Sequence, residues 1–129
     1  MLHAAQTEEV DLIFWNEPRL NGLHFLDAPF LVECKNWAVK VNGQQVIIFA
    51  NTMRGRSCRD GILIAAQGIT GDPGRLTEAH HAISVAARDG QRILVITRPE
   101  IEALQSSNEL VTLLKRKLLD VVRKGTKVL

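Results

Sequence analysis

The sequence offers no obvious covalent cross-link or membrane anchor. It has two cysteines, Cys34 and Cys58, which are too few to make a disulfide framework. No continuous apolar run is long enough to cross a membrane, and the residues after Met1 lack the basic stretch that opens a signal peptide. Because Cys34 falls in a predicted strand, we interpret it as a small buried hydrophobe. We therefore expect a cytoplasmic protein with no membrane partner.

A large excess of one charge is also missing, since 16 lysines and arginines face 14 acidic residues and leave a net charge of +2. The overall charge therefore does not by itself indicate a nucleic-acid partner. Three arginines, Arg54, Arg56 and Arg59, cluster around one predicted loop, where phosphate contact and a solvated surface are equally good interpretations. The basic residues between positions 115 and 127 are better explained as the solvated end of a helix, where the helix dipole favours cations.

Repeats, low-complexity tracts and linkers are absent too, so we expect a single domain over residues 1–129. An apolar fraction of 46% is that of an ordinary globular protein with a real core. Patterning predicts strands over residues 9–15, 29–36, 61–66 and 92–97, and helices over residues 42–55, 76–88, 99–104 and 108–124. Strands that alternate with helices predict an α/β/α fold around a central mixed sheet of about four strands. The first two strands should be antiparallel neighbours, and crossovers should join the later ones.

Charged side chains interrupt the second predicted strand, which has the sequence Phe30-Leu31-Val32-Glu33-Cys34-Lys35. Residues two apart in a strand point to the same side, so Glu33 and Lys35 share a face. Charges in an apolar strand are costly unless they are paired or bind a metal. An exposed ion pair on an edge strand is the simple alternative, and the apolar neighbours argue against it.

A second carboxylate, Asp11, lies in the preceding apolar run, Val10-Asp11-Leu12-Ile13-Phe14. If the two strands pair, Asp11 can lie across from Glu33, and two such carboxylates repel unless a cation lies between them. Mg²⁺ prefers oxygen ligands and keeps several waters, so two carboxylates suffice, and the backbone carbonyl of Cys34 could be a third ligand. Lys35 could position or deprotonate a water, or neutralise charge on a phosphate oxygen. This arrangement suits hydrolysis of a phosphodiester.

Three segments together resemble the restriction-endonuclease-like, or PD-(D/E)xK, nuclease superfamily, in particular its Mrr-like and Holliday-junction-resolvase-like branch. They are Val10-Asp11-Leu12-Ile13, Leu31-Val32-Glu33-Cys34-Lys35-Asn36-Trp37 and Gly61-Ile62-Leu63-Ile64-Ala65. The resemblance implies a metal-dependent endonuclease that cuts DNA with Mg²⁺ or Mn²⁺. It implies Asp11 and Glu33 as metal ligands, the Cys34 carbonyl as a further ligand, and Lys35 as the catalytic lysine. The alternative is an inactive nuclease-like domain used for nucleic-acid binding or assembly.

The same superfamily usually has a helix before the first acidic strand, whereas only ten residues precede Asp11 here. Either the helix is truncated, or the chain is a fragment, or a partner supplies the missing cover. Loss of that helix would expose an apolar face of the sheet, and such faces favour association. We therefore expect a homodimer or a part of a larger chain or complex.

Other polar residues lie near the charged strand. We expect Asn36 and Lys40, together with Arg54 and Arg56, to contact nucleic acid. Gln67, just after the third predicted strand, is interpreted as exposed. For Gln45, a position facing the site and a place in a polar first helical turn are equally good interpretations.

Two pairs of ring-bearing residues also stand out. Trp15 and Trp37 each follow a proposed site strand and could stack on bases, but packing is the better interpretation. His80 and His81 are neighbours on a predicted helix. Their spacing is poor for binding one metal, since adjacent helical residues point about 100° apart.

Overall fold

The computed structural model describes the backbone of residues 2–5 and 12–16 and all of residues 22–125. The elements are β1 (Leu2–Ala5), β2 (Leu12–Asn16), β3 (Phe30–Lys35), α1 (Gly43–Gly55), β4 (Asp60–Ala65), α2 (Glu78–Arg88), β5 (Arg92–Ile96), α3 (Arg98–Glu102) and α4 (Ser107–Gly125). The predicted α/β class, built around a mixed sheet, is confirmed.

The sheet has the strand order β1-β2-β3-β4-β5. Neighbours are antiparallel from β1 to β3 and parallel from β3 to β5, so β2 runs opposite to the other four strands. The sequence predicted about four strands and missed β1. Its four residues, Leu2-His3-Ala4-Ala5, include two alanines, which are not typical of strands, and the pairing with β2 rather than local preference makes them extended.

Helix α1 packs against the face of the sheet that carries Gly61. A Cβ atom at Gly61 would lie 2.7 Å from the Met53 sulfur and 2.9 Å from the Phe49 ring, so glycine allows the helix this close. Val46, Phe49, Ala50 and Met53 are the buried residues of α1. Ile47, the residue after Val46, is 48% exposed and lies outside this buried face.

The start of α1 is held by a capping box at Asn42. The Asn42 side chain accepts a hydrogen bond of 3.1 Å from the Gln45 backbone N–H, and the Gln45 side chain accepts one of 3.2 Å from the Asn42 N–H. Such reciprocal bonds satisfy donors that a helix start otherwise leaves open. Asn42, the first residue of the predicted helix, is thus its N-cap, and Gln45 belongs to the polar first turn.

A buried ion pair joins the starts of β4 and β5. Asp60 is 1% exposed, and Arg92 donates two hydrogen bonds to its carboxylate, of 2.6 and 2.8 Å. The backbone N–H of Asp27 donates a third, of 2.7 Å, which fastens the segment before β3 to the same carboxylate. The hydrogen bond with Asp60 raises the pKa of the Arg92 guanidinium against the opposing effect of burial.

We predict that Asp60→Asn lowers the free energy of unfolding by about 3–5 kcal/mol, because it leaves the Arg92 charge buried without its counter-ion. Urea denaturation measures this change. Glu102→Gln is the control, since the Arg98–Glu102 pair has side chains 64% and 66% exposed and its loss should cost less than about 1 kcal/mol. Equal effects of the two variants would contradict the assigned role of Asp60.

Candidate active site

The Glu33 and Lys35 side chains meet near the end of β3. The Lys35 Nζ lies 3.2 Å from the Glu33 Oε1, and their side chains are 25% and 11% exposed respectively. β3 lies between β2 and β4 in the sheet, so the alternative of a pair on an edge strand is wrong. The site therefore combines a nearly buried carboxylate with an ammonium that solvent still reaches.

Trp37 completes the surroundings of the Lys35 ammonium, because its ring centroid lies 4.9 Å from the Nζ. A cation over an aromatic face is attracted by the electron density of the ring. Trp37 also packs against the core, as predicted. The contact with Lys35 was missed, although a lysine and a tryptophan two residues apart at a strand end are the signal that could have indicated it.

The second predicted carboxylate, Asp11, lies outside the described residues. The next residue, Leu12, is described at the level of backbone pairing, and it lies opposite Val32, which directly precedes Glu33. Among the residues whose side chains the structure describes, no group of three or more His, Cys, Asp or Glu could hold a metal ion. Of the two predicted carboxylates, the structure therefore describes Glu33. That Asp11 and Glu33 bind one metal ion together stays a prediction.

Cys34 is exposed, so its interpretation as a buried hydrophobe is wrong. Its side chain points to the sheet face opposite Glu33 and Lys35, where its neighbour on β4 is the half-buried Ile64. Cys34, Ile64 and the 40% exposed Ile101 of α3 help to line an open groove of about 300 Å³. The strand pattern alone could not indicate how far this face is covered. The exposure of the side chain does not bear on the backbone carbonyl of Cys34, whose role as a metal ligand stays a prediction.

Backbone hydrogen bonds join the segments that follow β3 and β4 at the end of the sheet beyond Lys35. The Ala66 N–H donates to the Lys35 carbonyl at 3.1 Å, and the Val41 N–H donates to the Gly68 carbonyl at 3.0 Å. These bonds bring Lys40 and Gln67 to the rim of one cavity. Both are exposed, as is Asn36, which directly follows the strand.

Arg54 and Arg56 lie at the opposite end of α1. A helix of 13 residues is about 20 Å long, so the two arginines are about that far from the start of the helix near Lys35. Arg54 donates hydrogen bonds to the side chains of Asn51 and Gln91, at 2.9 and 3.1 Å. The fold thus separates these arginines from Asn36 and Lys40, with which the sequence grouped them.

Comparison with known proteins gives one match. The family model Mrr_cat, described as a restriction endonuclease, matches residues 2–105, which is most of the chain. No curated protein matches, and no solved structure matches either. In the described part of the chain, no helix is both long and apolar enough to pass through a membrane.

We predict that a soluble disulfide reagent modifies Cys34 quickly and Cys58 only after denaturation. Cys58 is 2% exposed, and its burial raises the pKa of the thiol, an effect that Arg56 opposes and Asp60 reinforces. Absorbance of the released thiolate measures both rates, and Cys34→Ser should abolish the fast phase. A fast phase that persists in Cys34→Ser would contradict the exposure assigned to Cys34.

Proposed function

We propose that this chain, which belongs to the restriction endonuclease family of the Mrr_cat model, is a metal-dependent endonuclease that hydrolyses DNA phosphodiester bonds. Family membership supports a restriction-endonuclease-like nuclease, and the finer assignment is ours. The observation that carries it is the pair formed by Glu33 and Lys35, a nearly buried carboxylate and an accessible ammonium 3.2 Å apart on an interior strand.

The donor atoms fit a small divalent cation. The Glu33 carboxylate is a hard oxygen donor, and Mg²⁺ is commonly bound by one or two carboxylates while it keeps several waters. We assign Asp11 as the second carboxylate, because Leu12 and Val32, the chain neighbours of Asp11 and Glu33, face each other in the β2–β3 ladder. The Cys34 carbonyl is the third proposed ligand. When bound, Mg²⁺ or Mn²⁺ supplies Lewis-acid polarisation of a phosphate oxygen.

We assign Lys35 the role of stabilising the negative charge that develops on the phosphate. Attack on a phosphodiester increases negative charge on the phosphate oxygens, and an ammonium held beside them stabilises the transition state more than the ground state. Glu33 and the Trp37 ring hold the Lys35 Nζ in place, so little reorganisation is needed when the charge develops. The remaining exposure of Lys35 leaves its ammonium accessible to a phosphate.

The proposed contacts with DNA lie at two places along α1. Asn36 and Lys40 precede the start of α1, and Arg54 and Arg56 are at its other end, about 20 Å along the helix axis. This distance is less than one turn of duplex DNA, which is about 34 Å long. A duplex that lies along α1 could therefore meet both groups, where lysine and arginine bind phosphates.

We predict that Glu33→Gln and Lys35→Met each reduce DNA cleavage at least about 100-fold, because the first removes a charged ligand of the proposed cation and the second removes the charge that stabilises the phosphate in the transition state. Nicking and linearisation of supercoiled plasmid with Mg²⁺ or Mn²⁺ measure the rate. Circular dichroism verifies that both variants remain folded.

Glu109→Gln and Lys115→Met are matched controls, because they remove the same side-chain charges from α4, outside the proposed site. They should cleave at the wild-type rate. Wild-type cleavage by Glu33→Gln or Lys35→Met would contradict the mechanism. A wild-type protein that binds DNA without cutting it would instead favour an inactive domain for nucleic-acid binding or assembly.

A further inference from the structure

The fold also contains a cavity of about 290 Å³ next to the segment that follows β4. It lies between α2, α4, β5 and the segment that follows β4. Its walls combine aliphatic side chains with lysines, and its lining is formed by Lys40, Gln67, Gly68, Ile69, His80, Ile83, Ile93, Val95, Thr97, Lys117, Asp120, Val121 and Lys124. The cavity is close to the lower end of the size range of small-molecule sites, which begins at about 300 Å³.

The aliphatic lining comes from several elements that pack together. Ile83 is on α2, Ile93 and Val95 are on β5, and Val121 is on α4. Such a surface can cover the flat, weakly polar face of a planar ring. Gln67 at the rim can donate and accept hydrogen bonds at a ring edge, and the Thr97 hydroxyl, which donates to Glu100 at 3.1 Å, can still accept one.

Positive charge exceeds negative charge around the cavity, because three lysines and one aspartate line it. Lys124 pairs with Asp120 at 2.9 Å, and Lys117 pairs with Glu100 at 2.7 Å. Lys40 forms no ion pair with the residues that the structure describes, and its side chain is exposed, so an anion can approach its ammonium. A metal cation would be repelled here.

The cavity also lies next to the proposed active site. Ala66, whose N–H donates to the Lys35 carbonyl, directly precedes Gln67 at the rim. Lys40 belongs to the segment that follows β3, five positions after Lys35. The rim is therefore connected to the catalytic strand both by the chain and by a hydrogen bond. Ligands of α/β sheets typically bind at this end, beyond the carboxyl ends of the strands.

We infer that this cavity binds one nucleotide, with its base against the aliphatic lining and its phosphate at Lys40. This inference deepens the proposed function, since the nucleotide of a DNA strand next to the cleaved bond would enter from the Lys35 side. A free nucleotide has the same chemistry, and binding experiments separate the two sources. Among the described residues, no phenylalanine, tyrosine or tryptophan lines the cavity, so the base is held mainly by aliphatic contact and hydrogen bonds, with the imidazole of His80 as the aromatic ring of the lining.

Binding is tested without catalysis, in EDTA and in the Lys35→Met background, so that a failure here is separate from a failure of the nuclease proposal. Deoxyadenosine monophosphate is titrated to about ten millimolar, and binding is followed by NMR. Lys40→Gln should weaken binding about tenfold, because it removes a charged hydrogen-bond donor. Lys115→Gln, which changes a lysine outside the cavity, should bind as the parent does.

The ring of His80 reports on the cavity directly. Its pKa is lowered by burial and by Lys124 and Lys40, against the opposing influence of Asp72 and Asp120. A phosphate bound near Lys40 should raise the His80 pKa, because a nearby anion favours the charged imidazole. His80→Asn assigns the ring signals, and the NMR signals of the His24 ring, which does not line the cavity, should not move when the nucleotide is added.

A short single-stranded oligonucleotide then distinguishes the sources. If it displaces the mononucleotide and loses affinity with Lys40→Gln, the cavity takes a nucleotide of the strand. If it fails to displace a bound mononucleotide, the cavity takes a free nucleotide. Two results would overturn the nucleotide site itself. The first is that neither probe binds. The second is that a probe binds equally well to Lys40→Gln and leaves the His80 pKa unchanged.

Discussion

The candidate site depends on an ion pair within a strand that has neighbours on both sides. Placing Glu33 and Lys35 in an interior strand removes solvent from the carboxylate, and desolvation of charges is costly even when they are paired. A pair of this kind is weak evidence for stability, since apolar residues of similar size often serve the fold as well or better. Our proposal that the pair acts on a charged substrate gives another reason for its presence, and membership of a restriction endonuclease family agrees with that proposal.

Contacts elsewhere in the fold fix the elements that surround the strand of this pair. Gly61 lets α1 pack closely on the same face of the sheet, and the Asn42 capping box starts that helix seven residues after Lys35. At the other end of the strands, Asp60 and Arg92 join β4, β5 and the segment before β3. The buried Asp60–Arg92 pair and the proposed active site thus lie at opposite ends of the parallel strands, so a change at one end need not disturb the other.

Local patterns in the sequence were sufficient for much of this architecture. The continuous apolar runs indicated β4 and β5, and the Asn42 cap was readable because its partner is three residues away. The placement of Glu33 and Lys35 on one face followed from strand alternation alone. Each of these predictions depends on residues that are close together in the chain.

The features that the sequence did not indicate depend on distant residues. The Asp60–Arg92 pair spans 32 positions, and neither residue differs locally from an ordinary surface charge. The exposure of Cys34 depends on which elements cover the opposite sheet face. Arg54 and Lys40 were both expected to contact nucleic acid because both are basic, but the length of α1 separates them.

Binding of Mn²⁺, followed by electron paramagnetic resonance in the absence of DNA, tests the central claim most directly. If Asp11 and Glu33 hold one cation, Asp11→Asn and Glu33→Gln should each weaken Mn²⁺ binding at least about tenfold, because each removes a charged oxygen ligand. Lys35→Met should leave the ion bound, since it removes no ligand. Undiminished Mn²⁺ binding by Glu33→Gln would contradict the account.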